Sequence, residues 1–500
     1  MQLPSELSIT EEDWNHTPLA VQAAILALWQ QSQMLQVQVV ELRNEVAVLR
    51  EQVGRHSQNS SQPPSSDGPS APARPKRTPS GRKAGGQKGH IGHGRTLLPP
   101  ERVKRVVKLK PTNCTACGAL LLGEDAQPVR HQVSELPRIE PDVTEYQQHT
   151  LTCLACGAQS TAGWPADMPT GSFGARTQAA IGYLTGRMGA SQRDAQEMME
   201  TLFHTDMSLG SVCAQEVAVS AALTEPVQAA QDYVQQQPVQ NVDETSWRER
   251  TQRSWLWISA TPLVTVFMLI ATRGAQGAKQ LLGMITASDG VNGIIGSDRW
   301  SGYNWLDPQQ RQLCWAHLKR DFQALVERGG ESARIGQALL EQVERMFGLW
   351  HRIRENGPSR GPGTLSRLDF QTAMQPIQTR VGELLREGSV LPCAKTRHTC
   401  ANILKLEVAL WTFVRVAGVE PTNNAAERPL RRAVLWRRRS FGTQSADGSR
   451  FVERVLTAVT TLRQQKRDVL DYLTEACAAA MRGGKAPSLL PTSSETKAVS

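Results

Sequence analysis

The stretch PVQNVDETSWRE, residues 238–249, opens the part of the chain that decides the fold. After short turns it is followed by RSWLWISATP (253–262) and TVFMLIATR (265–273). β-Branched and aromatic residues dominate all three segments, and turn-forming residues separate them, which is the pattern of consecutive strands. The sequence therefore predicts a three-stranded meander.

The segments that follow extend this meander into a larger sheet. GAKQLLGMI (277–285) predicts a helix, GIIGSDRWSGYNW (293–305) a further strand, and RQLCWAHLKRDF (311–322) another strand or a strand-to-helix junction. A meander, a helix and more strands fit a ribonuclease H-like core. A chain of 500 residues is too long for one compact domain, so we expect a multidomain α/β protein that contains this core.

Two aspartates occupy informative positions in these strands. Asp243 lies inside the first strand, and Asp298 follows the apolar run GIIG, at the end of its strand. In such a core these strands are neighbours, so the two carboxylates converge, whereas Glu244 faces the opposite way from Asp243. Two strand-end aspartates with a third acid can hold two Mg²⁺ ions. For either aspartate alone, a turn or cap residue is the commoner role.

A candidate for the third acid stands in PTNNAAERPLRRAVLWRRR, residues 421–439, where six arginines follow Glu427. One interpretation is a metal-ligand acid beside a track for a polyanion. The other is a capping box with Asn424, whose N-x-x-E spacing suits a helix start. Pro429 should remove one hydrogen bond and kink the helix.

The distribution of charge points to nucleic acid. The formal net charge is +9, and residues 74–110 contain twelve Lys and Arg with Glu101 as their single acid. Concentrated positive charge is typical of proteins that bind polyanions. The alternative is an exposed tail whose charges only keep it solvated. The candidate DNA-binding residues are Arg74, Lys76, Arg77, Arg82, Lys83, Lys88, Arg95, Arg428, Arg431, Arg432, Arg437, Arg438 and Arg439.

The N-terminal region predicts one long helix over residues 19–53. Leu28, Leu35, Leu42 and Leu49 recur every seven residues, with β-branched residues at most of the matching a positions. This is an a/d seam of the kind that favours parallel dimers, so we expect a coiled coil and a homodimer or higher oligomer. An amphipathic helix packed on its own chain is the alternative.

Two cysteine pairs predict a structural zinc site. CTACG (114–118) and CLACG (153–157) each place two thiols next to a turn-forming glycine. The four ligands Cys114, Cys117, Cys153 and Cys156 would complete a closed Zn²⁺ site without an open position. The intervening segments VRHQVSELP (129–137) and DVTEYQQHTLTC (142–153) alternate as strands of a zinc ribbon would. Free thiols or a redox pair are the alternatives.

Two further regions predict helices. Residues 170–236 carry helical patterns, and Ser191 with Asp194 matches a capping box. A helix-turn-helix is possible there, but packing helices fit better. Residues 324–410 also read as helical, which suits an insertion before Glu427.

Several stretches together resemble the transposases of the sixty-six family of bacterial insertion sequences, which belong to the Asp-Asp-Glu class. They are GGQKGHIGHGR, the paired C-x-x-C-G turns, VDET, SDRWSGY, CWAHLKRDF, NNAAERPLRRAV and SADGSRFVERVLTAVTTLRQQ, and they cover roughly residues 20–475 in the family order. The resemblance implies that Asp243, Asp298 and Glu427 are a catalytic triad. It also implies an N-terminal coiled coil, a zinc-binding DNA-recognition module and a helical insertion.

The resulting domain prediction has eight segments. They are a coiled-coil helix (1–53), a basic disordered linker (54–100), a zinc ribbon (101–160), a helical domain (161–236), the first part of the core (237–323), a helical insertion (324–410), the second part of the core with Glu427 (411–480) and a disordered tail (481–500).

His317, in the CWAH stretch, has two interpretations. In the first, it contacts the scissile phosphate or positions DNA, as the C-x-x-H motif after the second aspartate suggests. In the second, it is a hydrogen-bonded histidine beside the core. For Trp300 and Trp305, core packing fits better than base stacking.

The predicted function is DNA transposition with two Mg²⁺ (or Mn²⁺) ions: hydrolysis at element ends, then attack of the 3′-hydroxyls on target DNA. Expected partners are double-stranded DNA, as terminal inverted repeats and target, and accessory proteins of the same element. A ribonuclease H-like nuclease or resolvase and a non-catalytic zinc-ribbon regulator remain alternatives. No signal peptide is visible, and the longest apolar run, PLVTVFMLIA, is too short for a bilayer, so we expect a cytoplasmic protein without membrane contact.

Overall fold

The structure is a computed structural model that describes residues 7–60, 96–165, 168–169, 171–284, 293–354 and 365–492. The chain divides into two compact units. The larger comprises Met1–Pro72, Gly163–Ala195 and Leu209–Ser500, and the smaller comprises Ala73–Ala162 and Gln196–Ser208. No described helix is both long and apolar enough to cross a membrane. The predicted DNA-binding residues of the basic linker, Arg74 to Arg95, lie outside the described residues.

The N-terminal region consists of two helices, α1 (Glu11–His16) and α2 (Leu19–Val53). The prediction of one helix over residues 19–53 is therefore confirmed. The Gln22 side chain donates hydrogen bonds to the carbonyl oxygens of Trp14 and Thr17, which fixes the corner between the two helices.

The heptad leucines of α2 are exposed to solvent. Leu28, Leu35, Leu42 and Leu49 are between 50% and 66% exposed. A row of exposed leucines at this spacing is what a helix needs to pair with a second helix. The coiled coil itself stays a prediction.

Directly after α2, the chain contacts Glu327, which belongs to the same larger unit. His56 is buried, and its Nε2 lies 3.7 Å from Glu327 Oε1. Asn59 donates to the same carboxylate. The predicted linker begins at residue 54, but residues 57–59 form a turn, and His56 and Ser57 are buried.

The smaller unit has little regular structure. Strands β1 (Thr150–Thr152) and β2 (Gln159–Thr161) pair antiparallel around the second cysteine pair, and a single bridge joins Asn113 to Leu120 around the first. The prediction of a strand at 129–137 is wrong, and that at 142–153 holds only for β1. Side chains such as Val129 and Val133 are exposed, so alternation there does not reflect a buried face.

Four helices precede the central sheet. They are α3 (Ala175–Gly182), α4 (Gln192–Phe203), α5 (Leu209–Ala222) and α6 (Thr224–Gln235). The capping box at the start of α4 is confirmed: Ser191 N donates to Asp194 Oδ2 at 3.0 Å, and Asp194 N donates to Ser191 Oγ at 3.1 Å.

The larger unit is built around a five-stranded mixed sheet. Its strands are β3 (Val239–Glu249), β4 (Gln252–Ala260), β5 (Thr265–Ile270), β6 (Ile294–Ser297) and β7 (Arg311–Leu313), with helix α7 (Ala275–Leu281) between β5 and β6. The spatial order is β5-β4-β3-β6-β7. The β3–β4 and β4–β5 pairs are antiparallel, whereas the β3–β6 and β6–β7 pairs are parallel. The predicted meander, helix and further strands are all present.

Nine helices follow the sheet in the described residues. They are α8 (Trp315–Glu327), α9 (Gly330–Arg354), α10 (Arg367–Gly388), α11 (Ala394–Leu404), α12 (Glu407–Leu410), α13 (Thr412–Arg415), α14 (Asn424–Ser440), α15 (Ala446–Gln464) and α16 (Val469–Met481). Helices α8 to α13 share one apolar core, which includes Phe322, Leu339, Phe370 and Phe413. These helices form a layer of their own. In the sequence they lie between β7 and α14.

Each face of the sheet packs on different helices. On one face, Ile258 of β4 and Trp247 of β3 pack with Ala426 and Leu430 of α14 and with residues of α15. On the other face, Val242 and Trp257 pack with Ala278 of α7 and with Tyr303. Helices therefore cover both faces of the sheet, so polar side chains at the ends of its strands can lie inside the protein.

Helix α15 covers the exposed edge of strand β5. Thr461 Oγ1 accepts from Thr265 N at 3.1 Å, Thr457 Oγ1 accepts from Phe267 N at 3.0 Å, and Glu453 accepts from Leu269 N. Two residues of a strand rise about 6.6 Å and four residues of a helix about 6 Å, so these side chains keep step with the strand. They satisfy an edge that would otherwise present free N–H groups.

Thr457→Val should destabilise the protein by about 1 to 3 kcal/mol. The substitution preserves the side-chain shape but leaves the buried Phe267 N–H without an acceptor. Chemical denaturation monitored by circular dichroism measures the effect. Thr474→Val is the matched control, since the Thr474 hydroxyl bonds only to Leu470 O of its own helix. Equal stability of both variants would contradict the role of this contact.

Candidate active site

Asp243 lies within β3, the central strand of the sheet, and Asp298 directly follows the neighbouring strand β6. Strands β3 and β6 are parallel neighbours, with Asn241 paired to Gly296. Each aspartate lies two residues beyond this pair, so the same register places them at one level. Residues at matching positions of parallel neighbours point to the same face, and the two carboxylates therefore converge.

The prediction that Asp243 and Glu244 face opposite ways is confirmed. Asp243 is paired with Ile258, which belongs to the face covered by α14 and α15. Glu244 is paired with Trp257, which belongs to the face covered by α7. Asp243 thus points to the side from which Glu427 approaches.

Helix α14 is fixed to the sheet by Asn423. This residue is 1% exposed, and its Nδ2 donates to Val242 O at 2.7 Å, while its Oδ1 accepts from Asn241 Nδ2 at 3.0 Å. Both partners are on β3, directly before Asp243. The hydrogen bonds bring the first turn of α14, with Glu427, to the aspartates.

The capping-box interpretation of Glu427 is wrong. The N-cap residue of α14 is Asn423, not Asn424, and no side chain caps this helix start. Glu427 lies one position too far along the helix to close such a box. Its carboxylate instead lies near Cys314 and His317. The helix continues through Pro429.

Burial and the neighbouring acids together raise the pKa of Asp243. Burial raises the pKa of Asp243 well above its usual range, and the neighbouring charges of Glu244, Asp298 and Glu427 add to this effect. Burial also raises the pKa of Asp298, although the Trp300 N–H donates to its Oδ1 at 2.9 Å. A cluster of carboxylates in this state favours a proton or a cation.

Burial of Asp243, together with repulsion from the neighbouring acids, gives the fold a predictable pH dependence. Because the pKa of Asp243 is raised on folding, stability falls as pH rises from the unfolded pKa through the folded pKa, and it stays lower above both. Asp243→Asn removes this loss. We expect its melting temperature to exceed that of wild type at pH 7, when no divalent cation is added, and to vary less between about pH 4 and pH 8.

Circular dichroism melts at several pH values measure this difference. Asp307→Asn is the control, since Asp307 caps an exposed turn after Asp298. A melting temperature of Asp243→Asn at or below that of wild type at pH 7 would refute the prediction.

A second group, around Glu244, supports the site from the opposite face of β3. The Glu244 side chain is 1% exposed; it accepts from Arg273 Nε at 2.9 Å and from the Tyr303 hydroxyl at 2.7 Å. The Arg273 guanidinium lies 4.9 Å from the ring centre of Trp255 and 4.5 Å from that of Trp300. Sequence reasoning missed Arg273 and Tyr303, because nothing local marks them as partners of Glu244.

Arg311 connects this group to the end of β6. The residue is fully buried, and its guanidinium donates to Ser297 Oγ at 3.0 Å, to Tyr303 O at 3.2 Å and to Asp298 O at 2.7 Å. These bonds fix the backbone on which Asp298 stands. The contacts of Trp300 with Trp257 and Tyr303 agree with its expected packing role.

His317 lies beside Glu427. Its Nδ1 is 3.5 Å from Glu427 Oε1, and the side chain is 15% exposed. Burial, together with the charge of Arg320, lowers the pKa of His317 to about 4, so the ring is neutral at pH 7. The charges of Asp298 and Glu427 both act on Asp243, and His317 lies beside Glu427. Among the described residues, however, the carboxylate oxygens of Asp243, Asp298 and Glu427 are not gathered within 4.8 Å of one another.

Comparison with known proteins identifies the family. Residues 171–450 match the family described as the IS66 transposase family, and this span exceeds half of the chain. The chain belongs to the IS66 transposase family. A family of unknown function also matches residues 10–96.

Two proteins of Sinorhizobium fredii, both described as uncharacterized, are similar to this chain. One, y4hP, is 26% identical over an alignment of 408 residues, which covers 75% of this chain and 72% of that protein. The other, y4qI, is 26% identical over an alignment of 256 residues, which covers 47% of this chain and 45% of that protein. The chain therefore covers less than half the length of y4qI.

The arginines of α14 fall into two groups. Arg428, Arg431, Arg432, Arg438 and Arg439 are exposed. Arg437 is half-buried, and its guanidinium donates to Thr245 Oγ1 at 2.9 Å and to Ser246 Oγ at 2.6 Å. Arg437 therefore ties α14 to β3, unlike the other predicted DNA-binding arginines of this helix.

The cysteine pairs of the smaller unit form two turns of the same geometry. Gly118 and Gly157 both have positive φ angles, and each donates its N–H to the carbonyl of the first cysteine of its pair. Backbone N–H groups of Ala116 and Cys117 lower the pKa of the Cys114 thiol. Those of Cys156 and Ala155 do the same for Cys153. The structure does not gather three or more of these four described cysteines into one cluster, so the shared zinc site stays a prediction.

Proposed function

We propose that this chain is a DNA transposase that cleaves the ends of its insertion sequence and joins their 3′-hydroxyls to target DNA, using Asp243, Asp298 and Glu427 with two Mg²⁺ (or Mn²⁺) ions. The observation that carries the proposal is the approach of three acids from separate elements, since the charges of Asp298 and Glu427 both act on the buried Asp243. Two come from neighbouring parallel strands at the same level, and the third comes from a helix fixed beside them by Asn423.

The sheet supports this proposal through its topology. The order β5-β4-β3-β6-β7, with three antiparallel strands followed by two parallel ones, is the arrangement expected of a ribonuclease H-like core. In such a core, the first strand and the next parallel strand carry the acids. Helices α9 to α12 would then belong to the insertion predicted at residues 324–410, between Asp298 and Glu427 in the sequence.

The residues of the site fit hard divalent cations. Mg²⁺ prefers oxygen ligands, and the three nominated side chains offer only carboxylate oxygens. Burial and mutual repulsion raise the pKa of Asp243 and leave the cluster short of positive charge, which a divalent cation would supply. When bound, two such ions activate the attacking oxygen and stabilise the leaving 3′-oxygen.

The surrounding residues of the chain have supporting roles in this proposal. Asp243, Asp298 and Glu427 hold the ions, while Arg273 neutralises Glu244 on the other face and keeps it from competing. His317, neutral and next to Glu427, is placed to contact the scissile phosphate. The exposed arginines of α14 would hold DNA phosphates near the site, since their charge releases counterions.

The other parts of the chain would deliver DNA to this site. The basic linker would bind DNA, the cysteine turns would hold a structural Zn²⁺ in a recognition module, and α2 would form a coiled-coil dimer through its exposed leucines. A dimer would let one assembly bring two element ends together.

Joining of pre-cleaved ends tests the proposed function. The protein is incubated with Mg²⁺, a target plasmid and duplexes carrying the terminal sequences that flank its gene. We expect duplexes ending in a 3′-hydroxyl to join the plasmid, and duplexes ending in a 3′-dideoxynucleotide not to join. Cleavage without any joining would indicate a nuclease or resolvase, and binding without either reaction would indicate a regulator.

A further inference from the structure

Cys314, His317 and Glu427 form a mixed cluster of metal-ligand atoms next to the aspartates. One atom of each side chain lies within 4.8 Å of the other two. Cys314 and His317 stand at the start of α8, and Glu427 stands in the first turn of α14, 113 positions from Cys314. Among the residues that the structure describes, no other three such side chains are gathered in this way.

The spacing of these atoms is that of ligands around one small ion. Glu427 Oε1 lies 3.8 Å from Cys314 Sγ and 3.5 Å from His317 Nδ1. Tetrahedral Zn²⁺ with bonds of about 2.0 to 2.3 Å keeps its ligand atoms about 3.3 to 3.8 Å apart. The buried Nδ1 of His317 has no hydrogen-bond partner, so it is free to bind an ion.

The turn that carries Cys314 resembles the two cysteine turns of the smaller unit. In those turns, the N–H groups two and three positions after the first cysteine favour its thiolate. Ala316 and His317 occupy the same positions after Cys314, and their N–H groups act in the same direction, as does that of Asn423. Burial nevertheless raises the pKa of the Cys314 thiol to about 12, so the free protein keeps it protonated.

We propose that Cys314 Sγ, His317 Nδ1 and Glu427 Oε1 bind Zn²⁺, or another thiolate-seeking divalent cation, at a site distinct from the cysteine turns. Binding replaces the thiol proton, which leaves to solvent, and forms a sulfur–metal bond. Three protein ligands leave one tetrahedral position open. The site differs in chemical class from the acid cluster, whose all-oxygen ligands suit Mg²⁺.

Sharing of Glu427 makes this site inhibitory. A carboxylate oxygen bound to Zn²⁺ beside Cys314 is withdrawn from the cluster with Asp243 and Asp298. Micromolar thiolate-seeking cations should therefore oppose Mg²⁺-dependent cleavage, a consequence that rests on the proposed function. The binding site itself does not rest on that function.

Titration with Co²⁺ tests the site without any need for activity. Full-length protein with Zn²⁺ already in its cysteine turns is titrated with Co²⁺, whose thiolate complexes absorb in the near ultraviolet. We expect wild type to develop a thiolate–cobalt band that Cys314→Ser lacks and His317→Asn weakens. Cys477→Ser, which removes a buried thiol of α16, is the matched control and should retain the band.

Folding is checked for each variant by its circular dichroism spectrum. Equal bands in wild type and Cys314→Ser, or no band in folded wild type, overturn the site. If Cys314→Ser does not fold, His317→Asn is compared with wild type instead, and equal cobalt bands in these two proteins overturn the site.

Inhibition is measured separately by cleavage of DNA ends with Mg²⁺, each protein being compared with its own rate without added Zn²⁺. At free Zn²⁺ about ten times its dissociation constant, we expect an approximately tenfold lower rate for wild type and Cys477→Ser. Cys314→Ser should lose this sensitivity. A cobalt band without inhibition would overturn the sharing of Glu427, whereas a cobalt band in a protein that never cleaves DNA would contradict only the proposed function.

Discussion

Asp243→Asn and Asp298→Asn should each lower Mg²⁺-dependent cleavage at the element ends by about 10³-fold or more. Such a loss corresponds to about 4 kcal/mol of transition-state stabilisation, which is within the range that a divalent cation supplies. Each substitution keeps the side-chain shape and removes one ionised oxygen ligand. Since both residues lie at the same level on β3 and β6, we expect losses of similar size.

Cleavage rates are measured on duplexes that carry the element ends, and DNA binding is measured in parallel by gel shift. Binding should persist in both variants because the arginines of α14 are unchanged. Asp307→Asn, on the turn that follows Asp298, is the control and should cleave at the wild-type rate. Wild-type cleavage by either active-site variant would exclude that residue from the proposed triad.

Asn423→Ala should reduce cleavage by about 100-fold and destabilise the fold by about 1 to 3 kcal/mol. The substitution removes a buried donor to Val242 O and the acceptor for Asn241. These bonds hold the first turn of α14 against β3, so Glu427 would lose its fixed position. A displacement of about 1 Å is enough to cost two orders of magnitude in rate.

Asn424→Ala is the matched control for this effect. The capping-box interpretation of the sequence assigns the stabilising role to Asn424, whereas the structure assigns it to Asn423. Denaturation curves and cleavage rates of the two variants therefore separate the interpretations. A larger loss in Asn424→Ala than in Asn423→Ala would overturn our account of how Glu427 is positioned.

The local elements of this protein could be predicted because their signals are short-range. The seven-residue repeat gave the bounds of α2, Ser191 and Asp194 marked the start of α4, and the apolar run before Asp298 marked β6. Each depends on residues within a few positions of one another. The strand prediction failed for residues 129–137, where apolar and polar residues alternate although neither side of the segment is buried.

Partners that are distant in sequence were not predictable. Arg273 and Tyr303 meet at Glu244, Arg437 binds β3 rather than facing solvent, and Cys314 approaches Glu427 across 113 positions. No periodicity or spacing relates such residues, because only the packing of α8 and α14 on the sheet decides which side chains meet.

The sequence by itself indicated the strands of the central sheet and the long helix, since backbone propensity and alternation act locally, and its resemblance to a family nominated the three acids. The tertiary structure decided what surrounds each acid: the second carboxylate at the same strand level, the asparagine that fixes α14, and the cysteine and histidine beside Glu427. These depend on register and on helix placement, which are set by burial of apolar surface from many parts of the chain at once.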